Sequence, residues 1–244
     1  MTVDVESLEH AVLAAVPPQA VQEFEGWLLA LDDGTVGRAH SAVPTRHQRV
    51  PMETVPRIEA AYGGQGLQAA FRVPQAESFD GLRALLAARG YTARQPTLTL
   101  VGTAAAMAGL GDPAGVELAP APGDEWASVF LGEGFDAVDG ASRLRILRRA
   151  TQSVFALLRV DGRAVAVGLA CFSRGWCGIH AMRTAPNARG RGLASNVLAA
   201  LAAQAQRRGI SRAFLQVEQG NAPARALYQR AGFEAAWVYE YWRR

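Results

Sequence analysis

The chain has 244 residues, 50% hydrophobic and 19% charged, the balance of an ordinary globular protein with room for one large or two small domains. Its formal net charge of +3 is small and evenly spread, which excludes the concentrated basic surface of a nucleic-acid-binding protein. No apolar run approaches the roughly 18 residues needed to cross a bilayer, and Met1-Thr2-Val3-Asp4-Val5-Glu6 lacks the basic start and apolar stretch of a secretion signal. A cytoplasmic protein with no membrane partner is expected.

In chain order, Val5, Leu8, Val12 and Leu13 mark an amphipathic helix stopped by Pro17-Pro18. Two β-like runs, residues 24–31 and 35–43, flank the turn Asp32-Asp33-Gly34. A helix over 53–62 ends at Gly63-Gly64, followed by a strand at 69–73, a helix at 79–89, the pair Gly90-Tyr91 and a strand at 97–101. Residues 104–115 are rich in alanine and glycine without sustained periodicity, and read as a linker between a first half, 1–103, and a second half, 116–244.

The second half begins with a strand at 116–119, a helix at 124–131 and a second helix at 142–154. Strands at 155–160 and 164–172 flank Asp161-Gly162, and a third runs from 176 to 183. Arg189-Gly190-Arg191-Gly192-Leu193-Ala194 then opens an amphipathic helix closed by Gly209. Free backbone amides, the positive end of a helix dipole and two arginines meet at this corner, which suits a pyrophosphate. A strand at 213–218 leads to Asn221, an N-cap for a helix over 222–231 with Gly232 at its C′ position, and a last strand starts at Phe233.

The halves share an ending. Phe71 precedes Gly90-Tyr91 by 19 residues and Phe214 precedes Gly232-Phe233 by 18, with a strand and a helix in each interval, which suggests an internal repeat. Cys171 and Cys177 could face each other across the turn Ser173-Arg174-Gly175, but buried free thiols are expected in the cytosol. The four histidines have no ligand-like spacing, so no metal is expected. Arg143, Arg145, Arg148 and Arg149 read as a solvated helix face.

The Arg-x-x-Gly-x-Ala turn at Arg189, Gly192 and Ala194 and the run Asn221-Ala222-Pro223-Ala224-Arg225-Ala226-Leu227-Tyr228-Gln229-Arg230-Ala231-Gly232-Phe233 resemble those of the GNAT superfamily of acetyl-CoA-dependent N-acetyltransferases. The resemblance covers the element order from about 116 to 244. It implies an α/β (α+β mixed-sheet) fold, with a catalytic GNAT domain in the second half and a degenerate, non-catalytic GNAT-like domain in the first. The activity implied is acetyl transfer from acetyl-CoA to a small-molecule or peptide amine by direct attack, by a monomer or homodimer; the alternative is a non-catalytic acyl-CoA-binding or sensing protein.

On this resemblance the backbone of Gly190, Arg191, Gly192, Leu193, Ala194 and Ser195 holds the pyrophosphate of coenzyme A, with Arg189 supplying charge. The backbone of Met182, Arg183 and Thr184 pairs with the pantetheine amides, and Asn221 contacts the cofactor as well as capping its helix. Tyr228 matches the tyrosine that protonates the departing thiolate, a role open to a phenol that stays protonated at neutral pH. The general base is open. Gln216 stands where a glutamate occurs in some members, leaving Glu218, His180 or no dedicated base.

Trp126, Phe130 and Phe135 are either acceptor-side aromatics or core. All basic residues are arginine, a compositional bias or a protection against self-acylation. In the first half, Pro44-Thr45-Arg46-His47-Gln48-Arg49-Val50 offers no glycine where the turn belongs, and Leu86 stands where the second half has Tyr228. A third reading is a dinucleotide site in a Rossmann domain, against which stand Ser195 at the third glycine position of Gly-x-Gly-x-x-Gly and the late place of the turn in the chain; tight NAD binding alone would favour it.

Overall fold

The computed structural model describes residues 3–133 and 135–244. Its first half runs α1 (Val5–Ala15), β1 (Ala20–Phe24), β2 (Trp27–Leu31), a 3-10 turn (Gly37–Ala39), β3 (Ala42–Pro44), α2 (Thr54–Gly63), β4 (Phe71–Pro74), a second 3-10 turn (Glu77–Phe79), α3 (Asp80–Ala88) and β5 (Thr92–Thr103). The second half begins with α4 (Ala104–Ala108), β6 (Val116–Ala119), α5 (Asp124–Leu131), α6 (Ala137–Arg149), β7 (Ser153–Val160) and β8 (Arg163–Ser173). It continues with β9 (Trp176–Thr184), a 3-10 turn (Pro186–Ala188), α7 (Leu193–Arg207), β10 (Arg212–Glu218), α8 (Ala222–Arg230) and β11 (Glu234–Arg243).

Among the described residues the eleven strands form one mixed sheet in the order β1-β2-β3-β4-β11-β5-β10-β9-β8-β7-β6. The order is nearly a palindrome about the antiparallel pair β11–β5, and each half exchanges its last strand: β5 pairs with β10, and β11 pairs with β4. Parallel pairs occupy equivalent places, β3–β4 and β9–β10. The helices before the exchanged strands end alike: the Tyr91 amide donates to the Leu86 carbonyl and the Phe233 amide to the Tyr228 carbonyl, both at 3.0 Å. Gly90 and Gly232 then take φ of +84° and +77°. The repeat suggested by the shared endings is therefore present in the backbone.

Helices cover both faces of the sheet. On one face α4, α7 and α8 enclose a core with Leu100, Ile179 and Leu215, while α2 and α3 pack on Trp27, Phe71 and Val73. On the other, α1, α5 and α6 bury Leu8, Trp126 and Ile146 against Phe155, Leu169 and Phe214. Among the described residues no helix is long and apolar enough to cross a membrane.

Several boundaries differ from expectation, each for a local reason. The first hairpin turns at Glu25-Gly26, with φ of +45° and +80°, rather than at Asp32-Asp33-Gly34. Asp32 is instead buried, accepting from the amides of Gln19 and Gly34 and pairing with Arg149 of α6, so it joins the two halves. The 35–43 run is broken by the 3-10 turn at Gly37–Ala39. Helix α6 starts at 137, because Asp136 caps it by accepting from the Asp139 amide at 2.8 Å. The segment expected as a linker carries α4, capped by Thr103, with Ala104 and Met107 buried against α7. Its remainder also packs: a Cβ on Gly111 would lie 2.7 Å from the Ser195 carbonyl carbon, and the Asp112 amide donates to Asn196 Oδ1. Cys171 and Cys177 are both free and buried.

Glu9 of α1 meets Arg72 of β4 at 2.7 Å, with side-chain exposures of 2% and 0%. Burial of both charges makes each depend on the other. Arg72→Met alone should destabilise the fold by about 3–5 kcal/mol, whereas Glu9→Leu with Arg72→Met should recover most of that loss. Urea denaturation of the two variants checks this; equal losses in both would show that the pair is not coupled.

Candidate functional site

Strands β9 and β10 pair in parallel from Arg212↔Trp176 to Leu215↔Ile179 and then part, although β9 continues to Thr184 and β10 to Glu218. Beyond that point their facing edges have no sheet partner among the described residues. The parting coincides with a bulge in β9: its register against β8 shifts between Val167 and Leu169, and Ala181 takes φ of +53°. Gly168 stands opposite the bulge. A Cβ there would come within 2.8 Å of Val197 Cγ1 and collide with the Met182 sulfur, so the glycine admits both the bulge and the close seat of α7.

The corner between β9 and α7 is built by two glycines. Gly190 and Gly192 both have φ of +77°, and Gly192 is the left-handed N-cap residue of α7. Space around either Cβ position is open, so backbone conformation rather than crowding requires glycine here. Among the described residues the amides of Gly192, Leu193 and Ala194 have no hydrogen-bond acceptor within the chain, as expected at the start of a helix. On the far side, Asn221 caps α8 by accepting from the Ala224 amide at 3.2 Å. Tyr228 lies one helical stretch further on, 7% exposed and edge-on to Phe233. Burial raises its phenol to about 12, and among the described residues no protein group hydrogen-bonds its hydroxyl.

These features enclose one cleft of about 520 Å³. Met182, Arg183, Thr184, the whole run Arg189 to Ser195, Asn221 and Tyr228 all line it, so the structure brings together every residue expected to hold the cofactor. Arg230 joins Arg183, Arg189 and Arg191 in the lining, which contains no Asp or Glu. The cleft is cationic, rich in free amides and apolar at Leu193, Leu227 and Met182. That combination fits an anionic, amide-bearing ligand such as coenzyme A.

The two residues considered as general base stand outside this lining. Glu218 is exposed at the end of β10, where its carboxylate accepts from Gln95 Nε2 at 3.4 Å. His180 is buried on the sheet face opposite α7, edge-on to Phe214. Its Nδ1 faces Arg38 Nη1 at 3.4 Å, and its Nε2 is buried without a partner. Arginine can only donate, so Nδ1 is the acceptor and Nε2 carries the hydrogen. Burial and the nearby Arg38 hold the imidazole well below its ordinary pKa, and the neutral ring has no free lone pair for a proton.

Arg38 was not anticipated from the sequence. It comes from the 3-10 turn of the first half and donates to Gln216 Oε1 at 3.2 Å as well as facing His180. Arg183 was assigned for its backbone, yet its side chain donates to the Phe130 carbonyl at 2.9 Å and lies over Gly132, tying the cleft wall to the end of α5. Trp126 is core: 2% exposed, stacked on Phe130 and donating to the Gly168 carbonyl. Phe135 lies beneath the Arg143 guanidinium.

The equivalent corner of the first half is built differently. Residues 45–53 contain no glycine, and Leu86, fully buried, occupies the place of Tyr228. The His47 ring packs edge-on against Trp237 and Phe79, at 4.9 and 5.9 Å between centroids. Among the described residues no three His, Cys, Asp or Glu side chains form a metal-like group.

Residues 2–242 match the family model described as "Probable histone acetyltransferase Rv0428c C-terminal". Comparison with curated proteins finds no match. Among solved structures, a GCN5-related N-acetyltransferase from Kribbella flavida superposes with a TM-score of 0.71 at 19% identity, covering 100% of this chain and 96% of that one. A functionally unknown conserved protein from Staphylococcus epidermidis gives 0.71 at 13% identity, covering 93% and 94%. A tandem GNAT protein from the clavulanic acid biosynthesis pathway gives 0.61 at 15% identity, covering 97% and 87%. With a family match over nearly its whole length, the chain belongs to the acetyltransferase family of that description, and it shares the fold of these GNAT structures.

Proposed function

We propose that the chain transfers an acetyl group from acetyl-CoA to a primary amine by direct attack of the amine on the thioester. One observation carries this reading: a single cleft joins the unpaired edge of β9, the free amides at the start of α7 and the Tyr228 phenol. Acetyl-CoA supplies an acetyl group activated as a thioester. The amides of Gly192, Leu193 and Ala194, with Arg189 and Arg191, bind its pyrophosphate. The backbone of Met182 to Thr184 takes the pantetheine amides as an added strand, in place of the β10 edge it has lost.

As the amine nitrogen bonds to the carbonyl carbon and the carbon–sulfur bond breaks, Tyr228 gives its proton to the leaving sulfur and regains one from solvent. A phenol raised to about 12 is fully protonated at neutral pH. The proton of the attacking amine passes to water, since Glu218 is exposed outside the cleft and His180 has no free lone pair. Alignment of amine and thioester therefore supplies most of the rate. The first half acts as a non-catalytic copy: with Leu86 it has no proton to give, and its turn has no glycine to open an anion site.

Release of free thiol from acetyl-CoA, followed across an amine panel, tests the activity; tight coenzyme A binding without turnover on any amine would favour a sensor. Tyr228→Phe should lower kcat by about 10²-fold, within the range of a lost general acid, while coenzyme A affinity by calorimetry stays within about threefold. Unchanged kcat would remove Tyr228 from the reaction. Gly192→Ala, forced to keep a φ of +77°, should lose about 1–2 kcal/mol of stability and weaken coenzyme A binding in the same titration. Full affinity in that variant would contradict the role given to the α7 corner.

A further inference from the structure

The first half contributes more than sheet edges. Its 3-10 turn at Gly37–Ala39 is anchored in the core of the second half through Val36 and Ala39, which pack with Trp126, Leu169 and Phe214. This places Arg38 across the parting strands. His180 and Gln216 are the first residues after the last β9–β10 pair, and Arg38 Nη1 reaches both, at 3.4 and 3.2 Å. The guanidinium thus bridges the two strands where they separate, on the sheet face opposite α7 and α8.

The charges here do not balance. Arg38 is half-buried and forms no ion pair among the described residues. Its two contacts are long, to neutral groups, and both use Nη1, so most of its five donors remain available. Glu9 is the nearby buried carboxylate, and it is taken by Arg72 at 2.7 Å. His180 adds a further donor: with Nδ1 accepting from Arg38, its buried Nε2–H has no acceptor. Thr99, fully buried, already serves Gln216 at 3.5 Å. Among the described residues a half-buried guanidinium without a counter-ion thus stands beside one buried donor without an acceptor, which favours an incoming group with several lone pairs and a negative charge.

We propose that Arg38 is a specificity-determining residue that selects amine acceptors bearing a carboxylate. The inference depends on the acetyl-transfer reading for the place of the amine. If the thioester lies where β9 and β10 part, an acceptor whose amine reaches it from the opposite sheet face passes Arg38 within a few bonds of the nitrogen. A carboxylate two to four bonds from the amine then exchanges Arg38's weak contacts to His180 and Gln216 for a charge-assisted, bidentate one. The same cation disfavours a lysine-rich peptide.

Glycine, β-alanine and γ-aminobutyrate, each beside its own primary amide, test this in two arms with the full chain. In the thiol-release arm, the best acid should exceed its amide in kcat/KM by about 30-fold or more, the scale of hydrogen bonds to a charged group. Arg38→Ala should bring that ratio close to one, and Arg38→Lys, which keeps charge but not the fork, should hold an intermediate ratio. In the binding arm, calorimetry with coenzyme A present should show the acids binding to the wild type more tightly than the amides, and the difference should vanish in Arg38→Ala. A wild-type ratio near one, a ratio unmoved by Arg38→Ala, or a lysine-rich peptide as the best acceptor would overturn the proposal. Absence of thiol release with every amine would overturn acetyl transfer instead, and the binding arm would then decide carboxylate recognition by itself.

Discussion

Two strands that separate inside a sheet leave backbone donors and acceptors without partners, and the rest of this molecule is organised around that deficit. β9 and β10 stop pairing at Ile179↔Leu215 while both continue for several residues. These peptide groups are half-exposed along the cleft and give up sheet hydrogen bonds there. The chain holds them open all the same, by the bulge at Ala181, by Gly168 opposite it, and by α7 seated where a larger residue would push it away. The site is therefore a gap kept open by packing. A ligand with its own amides can complete the sheet there.

The first half stabilises this gap from outside. Exchange of the last strands places β5 beside β10 and β11 beside β4, so neither half can close its own sheet without the other. Asp32 with Arg149 fastens the first half to α6, and Val36 and Ala39 enter the second core. The segment after β5 continues the same work. It packs α4 on α7, and Gly111 lies against the backbone at Ser195, three residues beyond Gly192. The polar zone around Arg38, Gln216 and His180 follows from the same architecture, since the first half, by sharing the sheet, delivers an arginine to the parting strands.

What could be read in the sequence was whatever is encoded locally. Positive φ needs glycine at 190 and 192, a helix start needs a cap such as Asn221, and β-hairpins need turns such as Asp161-Gly162; each left a mark within a few residues. Much of the cleft lining was legible for that reason, though Ala188, Pro223, Ala224, Leu227 and Arg230 were not placed there. Features that depend on distant partners left no such mark. The first five residues of β5 are exposed and include Pro96, yet they form a strand because Tyr241, Trp242 and Arg243 pair with Arg94, Ala93 and Thr92. The start of α6 was hidden by Gly140, which tertiary packing against Leu131 and Phe135 tolerates. Arg38 lies 142 residues from His180, and nothing beside it in the sequence announces the contact. The exchange of strands is invisible for the same reason: a strand's pattern fixes its faces but not its neighbours.

We propose that the unpaired edge of β9 and the α7 corner receive coenzyme A. Amide hydrogen exchange with and without coenzyme A tests it most directly, since a ligand added as a strand must protect the amides it binds. Slowed exchange confined to residues 182–184 and 190–195, with residues 45–53 of the first half unchanged, is the expected result. Unchanged exchange across 182–195 at saturating coenzyme A, or protection in the first-half corner instead, would contradict the account.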